Sequence, residues 1–178
     1  MITITEALAE TKTLAARIEK RHDAVLRYLV RDARLRDPLE ADGGTFEFVK
    51  RERQAIGDLE ERLVAIRGAI QKANIEISLT INSTTRTVSG WLNWRREVSE
   101  LQKRRMAQMV ALITQARQKA AQSGVQLVQG DAHAQPPGGL IVALNEKDLS
   151  EAIENLESIL GELDGKLSLL NATTLIEV

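Results

Sequence analysis

Apolar residues recur at alternating spacings of three and four along three long segments of this chain, and this repeat restricts the fold more than any other feature. A heptad repeat is typical of helices that pack lengthwise against other helices. The predicted seams are Ile4, Leu8, Thr11, Ala15, Ile18, His22, Val25 and Leu29; Val49, Glu52, Ile56, Leu59, Leu63, Ile66, Ile70 and Ala73; and Leu149, Ile153, Leu156, Leu160, Leu163, Leu167 and Leu170. The sequence therefore predicts long antiparallel helical hairpins.

Another helical segment starts near Ser89 and carries an irregular repeat. Its apolar positions are Trp91, Trp94, Val98 and Leu101, followed after a step through Arg105 by Met109, Ile113, Ala116 and Ala120. Such a four-residue stutter shifts the apolar seam around the helix. We therefore expect this helix to change its packing partner along its length.

Loops and helix starts are marked by their residue types. The prolines and the paired glycines lie in two stretches, RDPLEADGG and GDAHAQPPGG, which predict loops. Thr3 and Glu6 have the spacing of a capping box, and Thr45 and Asn145 are the predicted N-caps of two further helices.

Short alternating runs predict a minor β component. EISLTI and RTV, joined by NSTT, predict a β-hairpin that leads into the third helix. VQLVQ and LIVAL predict a second, inserted β-hairpin at about residues 125–144, and MITI and ATTLIEV alternate at the chain ends. We expect the strands to gather into one small sheet where the termini meet.

An internal similarity predicts a duplicated organisation. Gly68 and Asn74 have the same separation as Gly165 and Asn171, each pair closing a predicted helix ahead of a predicted strand. We thus expect residues 1–84 to form one helical hairpin with flanking strands, and residues 85–178 to form another that carries the insert. The predicted fold class is mainly α, a four-helix bundle or coiled-coil rod with short strands at its ends, built as one structural unit.

Composition excludes several classes of protein. The net charge of −1 gives no general attraction to nucleic acid or to acidic membranes, and the absence of cysteine excludes disulfides and thiolate chemistry. MITITEALAE has neither the basic n-region nor the apolar h-region of a signal peptide, so we expect no targeting segment there. The longest aliphatic runs, MVALI and LIVAL, are far too short to cross a bilayer. We expect a soluble protein.

Few residues are candidates for chemistry. His22 lies on a seam, where a core histidine hydrogen-bonded across the bundle is favoured over a buried pH switch. Asp131 and His133 lack the further ligands of a metal site. Glu52 is interpreted as a polar seam residue that sets helix register or oligomer state. Since no nucleotide-binding or hydrolase motif is present, we expect neither enzymatic activity nor a cofactor.

Two sets of residues are candidates for contact with other molecules. Basic residues beside aromatics are typical of single-stranded nucleic acid binding. The interleaved acidic residues and the seam spacing of the tryptophans instead favour a solvated charged face with the aromatics in the core. This candidate face is Trp91, Trp94, Arg95, Arg96, Lys103, Arg104 and Arg105. The candidate protein-contact loop contains Asp131, His133, Pro136 and Pro137.

Three stretches, TEALAE, SLTINSTTRTVSGWLNWRREV and LGELDGKLSLLNATTLIEV, resemble the septicolysin-like family of small helical proteins, which is associated with actinobacterial and phage genomes. They cover under a third of the chain, and the insert from VQLVQ to LIVAL has no counterpart in the family. The family has no established catalytic residues, so the resemblance carries none over to this chain. It implies a non-enzymatic structural or assembly component of a bacteriophage particle.

The heptads and the resemblance together predict the partners. We expect a homo-oligomer that contacts other virion or assembly proteins through its helical faces and its β-hairpin, in the virion or in the host cytoplasm during assembly. No membrane partner is expected. The alternative is a nucleic-acid-binding or packaging accessory that uses the basic face of the third helix.

Overall fold

A computed structural model describes residues 1–129 and 139–178. The chain is mainly helical with a few short strands, which confirms the predicted class. Its elements are β1 (Ile2–Thr3), α1 (Ile4–Tyr28), a 3-10 turn (Glu40–Asp42), α2 (Gly44–Glu76), β2 (Ser78–Ile81), β3 (Thr84–Thr87), α3 (Val88–Asn93), a π-helical turn (Trp94–Ser99), α4 (Glu100–Ser123), β4 (Leu127–Gln129), β5 (Leu140–Val142), α5 (Glu146–Thr173) and β6 (Leu175–Ile176). Among the described helices, none combines the length and apolar character needed to span a bilayer.

The described residues divide into two compact units. The first contains Met1–Ile77 and Ser168–Val178, and the second contains Ser78–Leu167. The duplication into residues 1–84 and 85–178 and the arrangement of the helices as a four-helix bundle or coiled-coil rod both stay predictions.

In the first unit, α1 and α2 pack as an antiparallel pair. Arg62 of α2 donates to Glu10 of α1 at 3.0 Å, and Arg21 of α1 donates to Glu52 of α2 at 2.6 Å, so residues early in one helix meet residues late in the other. Its buried core is Ile4, Ala7, Leu14, Ile66, Ala73 and Ile176. The core joins both helices to the C-terminal strand, because β1 and β6 pair antiparallel with Ile2 opposite Ile176.

The buried face of α1 differs from its predicted seam. Every second predicted position is exposed, namely Leu8, Ala15, His22 and Leu29. The preceding residues are turned inward instead: Ala7 and Leu14 are buried, and Arg21 is half-buried. In α2 the predicted seam is confirmed by the buried Ile66 and Ala73.

Two of the three predicted helix caps are confirmed. The Thr3 amide donates to Glu6 Oε2 at 2.7 Å and the Glu6 amide donates to Thr3 Oγ1 at 3.2 Å, which completes the capping box and lowers the pKa of Glu6. Asn145 Oδ1 accepts from the Lys147 amide at 3.0 Å at the start of α5. Both side chains satisfy amides that a helix N-terminus leaves without a partner.

The predicted Thr45 cap is wrong, because α2 already starts at Gly44 with Gly43 as its N-cap at φ 91°. Thr45 lies inside the first turn, where its amide and hydroxyl donate to the two carboxylate oxygens of Asp37 at 3.0 and 2.5 Å. These bonds, with another from the Leu39 amide, lower the pKa of Asp37 to about 2. A loop carboxylate thus caps α2 from outside the helix.

The strands of the described residues form three separate two-stranded sheets, so the prediction that they gather into one small sheet is wrong. β2 and β3 form the predicted hairpin, with Asn82 and Ser83 at φ 43° and 63° in its two-residue turn. Positive φ at both turn residues matches the right-handed twist of the strands. β4 and β5 pair in parallel, with Leu127 opposite Leu140. The second predicted hairpin is therefore wrong, because the two strands of a hairpin run antiparallel.

In the second unit, α4 and α5 lie antiparallel. Arg95 of the π-helical turn donates to Asp164 at 2.6 Å, and Arg117 of α4 donates to Glu146 at 2.6 Å. The predicted seam of α5 is confirmed by its buried residues, Leu149, Leu156, Leu163 and Leu167. This pair of helices positions the candidate site.

Candidate functional site

One turn of π-helix, Trp94–Ser99, interrupts the long helix that begins at Val88. Hydrogen bonds in a π-turn span five residues instead of four, so the turn accommodates an additional residue. Ser99 is fully buried, and its hydroxyl donates to the carbonyl oxygen of Arg95 at 2.6 Å. The turn absorbs the irregularity that we predicted as a stutter at Arg105.

The additional residue moves the inward face of the helix by one position. After Trp94, the buried or half-buried residues are Ser99, Gln102, Met106, Ile113, Ala116 and Ala120. The prediction that Val98, Leu101 and Met109 lie in the seam is therefore wrong, because they are 41%, 45% and 45% exposed. For Ile113, Ala116 and Ala120 the prediction is confirmed.

Exposed apolar residues form a line on the outside of the helix, which we name the α4 stripe: Val98, Leu101, Met109 and Leu112. All four are exposed, by 41% to 65%. At 3.6 residues per turn their spacings place them on one face about four turns long. Arg105 lies between them on the same face and is exposed.

Some cations of the predicted basic face form ion pairs within the chain, and others do not. Arg95 is paired with Asp164 at 2.6 Å, Arg96 with Glu97 at 2.8 Å, and Lys103 with Glu100 at 3.6 Å. Arg104 and Arg105 are exposed and form no ion pair with another described residue. The positive charge offered to a partner is therefore centred on these two arginines, beside the α4 stripe.

The two tryptophans are held inside the second unit. Trp91 is 3% exposed, and its indole Nε1 donates to the Leu79 carbonyl oxygen at 2.9 Å. Trp94 is half-buried and lies edge-on to Trp91 at 5.4 Å between ring centroids. The guanidinium of Arg86 lies 5.0 Å from the Trp91 ring centroid, so a base cannot stack there. Sequence reasoning missed Arg86, whose signal is its place opposite Leu79 in the β2–β3 hairpin.

A cleft of about 360 Å³ lies between this hairpin, the start of the long helix and α5. Its polar lining includes Asn82, Arg86, Gln102 and Asn155. Asn82 donates to Asn155 at 3.0 Å, which ties the hairpin turn to α5. Amides and a guanidinium form hydrogen bonds, but the described lining has no carboxylate or imidazole to move a proton.

The remaining sequence candidates do not converge on a site. His22 is exposed, so its predicted place in a hydrogen-bonded core is wrong; Glu52 lies in the α1–α2 seam as predicted and accepts from Arg21. Residues 1–129 and 139–178 contain no group of three or more side chains able to hold a metal ion. The candidate contact-loop residues Asp131, His133, Pro136 and Pro137 lie outside the described residues.

No family model, curated protein or solved structure matches this chain. The septicolysin-like resemblance stays a prediction carried by the three quoted stretches. On the chain's own surface, the α4 stripe with Arg104 and Arg105 is the main unsatisfied feature of the described long helix.

Proposed function

We propose that this protein is a non-enzymatic structural or assembly component, which forms oligomers and contacts neighbouring proteins through its helical faces. The observation that carries this proposal is the α4 stripe. Four large apolar side chains on one face of a helix are typical of a surface that packs against another helix. A surface of this kind suits assembly, whereas the described lining of the cleft beside Trp94 has no carboxylate or imidazole.

The size of the stripe sets what it contributes to association. Complete burial of such a side chain stabilises by about 1.5–3 kcal/mol, so four half-exposed ones contribute about 4 kcal/mol when covered. Association costs about 4–15 kcal/mol in lost freedom of movement. The α4 stripe therefore needs additional contacts around it to form a stable interface.

The role in a bacteriophage particle is supported by the resemblance of TEALAE and the two longer stretches to the septicolysin-like family. The corresponding location is the virion, or the host cytoplasm during assembly. For the helices we propose the four-helix bundle or coiled-coil rod that the heptads predict, with other virion proteins as partners. Nothing in this proposal calls for a membrane.

Light scattering coupled to size-exclusion chromatography, at two protein concentrations and two salt concentrations, tests the proposal. We expect a discrete oligomer from the wild type, and dissociation when Leu101 and Leu112 are both replaced by glutamine. Val64, 70% exposed on α2 in the first unit, supplies the matched control Val64→Gln, which we expect to keep the oligomer. A wild-type protein that stays monomeric throughout and captures no partner would contradict the proposal.

The alternative function, single-stranded nucleic acid binding, has less support. Exposed Arg104 and Arg105 favour it, whereas the burial of Trp91 removes one of the predicted stacking surfaces. Binding through several phosphates weakens steeply between about 50 and 200 mM salt. Titration of labelled single-stranded DNA over this range tests the alternative, and no binding at low salt would end it.

A further inference from the structure

We infer that the α4 stripe docks onto the acidic outer face of α5 in a second copy of this chain, and that each copy receives the α4 stripe of the other. This inference rests on the proposed function, because it names the partner and the surfaces of the proposed self-association. The interface is isologous: α4 of one copy meets α5 of the other, and the reverse contact is formed by the two-fold axis.

The two helices of the second unit carry opposite charge. α4 has five lysines and arginines and one glutamate, whereas α5 has seven aspartates and glutamates and two lysines. Such a division leaves the whole chain close to neutral, with a net charge of −1, so two copies do not repel each other over long distances. Complementary charges of this kind select partners and orient them.

The charges needed for docking are those not used within the chain. Arg104 and Arg105 on α4, and Glu154 and Glu157 on α5, are all exposed, and none forms an ion pair with another described residue. Other charges on these helices are already paired, such as Arg117 with Glu146. The four exposed groups are thus available to a second copy, where they supply the additional contacts that the α4 stripe needs.

Pairing of α4 with α4 of a second copy is less favourable. Arg105 lies in the middle of the α4 stripe, so two stripes laid antiparallel and centred on each other bring Arg105 against its own copy. Like charges at such a contact cost several kcal/mol. Against α5, the same guanidinium meets Glu154 and Glu157, and the apolar residues on either side of it are covered in the same contact.

Charge reversal in the full-length chain tests the inference. One variant carries Arg104→Glu and Arg105→Glu, the second carries Glu154→Arg and Glu157→Arg, and the third carries all four substitutions. Because these residues are not paired within the chain, a rescue in the third variant reports contacts between copies. We expect each double variant to raise the dissociation constant at least about tenfold, and the fourfold variant to recover the wild-type value.

An equimolar mixture of the two double variants serves as the control for folding. Each is self-repulsive at the proposed interface, but the two are complementary to each other, so we expect the mixture to associate. Single-cysteine versions, Leu101→Cys and Ser158→Cys, add a second measurement in a chain that has no cysteine of its own. We expect a disulfide between the two variants in preference to Leu101→Cys with itself.

Each remaining outcome decides a different point. If the wild type is oligomeric and neither double variant dissociates, α4–α5 docking is refuted while the proposed function stands. If the arginine reversals dissociate the oligomer but the fourfold variant and the mixture do not recover it, α5 is not the partner surface. A wild type that is monomeric at every concentration overturns this inference, and it overturns the proposed function as well when the protein also captures no partner.

Discussion

Deletion of Glu97 tests the account of the π-helical turn. Glu97 lies within Trp94–Ser99 and is exposed, paired only with the equally exposed Arg96. Removal of one residue from a π-turn leaves the number of residues that an ordinary α-helical turn contains, so the same side chains beyond the turn still point into the core. We expect the helix to continue as an uninterrupted α-helix, with Ile113 and Ala120 still in the core.

Deletion of Ala107 is the matched control, because this residue is exposed in the regular part of α4. Loss of one residue there rotates the following helix by about 100° and shortens it by about 1.5 Å. Ile113 and Ala120, now 9% and 4% exposed, would leave the core. Lost burial of an isoleucine and an alanine costs about 3 kcal/mol, a large part of the roughly 5–15 kcal/mol that stabilises a domain. For the Glu97 deletion we expect a change within about 1 kcal/mol.

Urea unfolding measures both deletions. Far-ultraviolet circular dichroism reports the helices, and tryptophan fluorescence reports Trp91 and Trp94 beside the turn. Both variants are compared with the wild type at one low protein concentration, because self-association adds to apparent stability. Equal and large destabilisation by the two deletions would refute the idea that the π-turn accommodates one removable residue.

Three further predictions concern stability. Leu163→Ala removes a fully buried side chain and is expected to cost about 2–5 kcal/mol, while Leu169→Ala, at a position 67% exposed, is expected to change little; urea midpoints decide between them. Thr3→Ala breaks the capping box and is expected to cost about 1 kcal/mol, which thermal unfolding measures against Thr13→Ala, a threonine in the middle of α1. Since Asp37 has its pKa lowered from 3.8 to about 2, its contribution is complete above pH 4 and is lost as the pH falls towards 2. Thermal unfolding between pH 2 and 5 is therefore expected to depend less on pH in Asp37→Asn than in the wild type, and identical slopes would contradict the capping role of this carboxylate.

Where one face of a helix is clearly more apolar than the rest, the sequence by itself predicted the structure. The seams of α2 and α5 have leucine or isoleucine at most positions, and Ile66 and Leu163 are fully buried as predicted. The β2–β3 hairpin and the caps at Thr3 and Asn145 follow from local chemistry, because each depends on residues a few positions apart.

Tertiary structure decided the cases in which local signals were balanced. In α1, Ala7 precedes Leu8 and Leu14 precedes Ala15, so either register has apolar residues, and only packing against α2 turns Ala7 and Leu14 inward. The irregular repeat of the third helical segment is balanced in the same way, because its apolar residues are compatible with a stutter at Arg105 and with one inserted residue at the π-turn. The tertiary structure has the inserted residue, with Trp91 bonded to Leu79 of the hairpin and Arg95 to Asp164 of α5, and in this arrangement Ser99 is buried and the α4 stripe is exposed. The tertiary structure also decided the capping of α2 by Asp37 and the parallel pairing of β4 with β5. In both cases the sequence around a residue does not identify its partner.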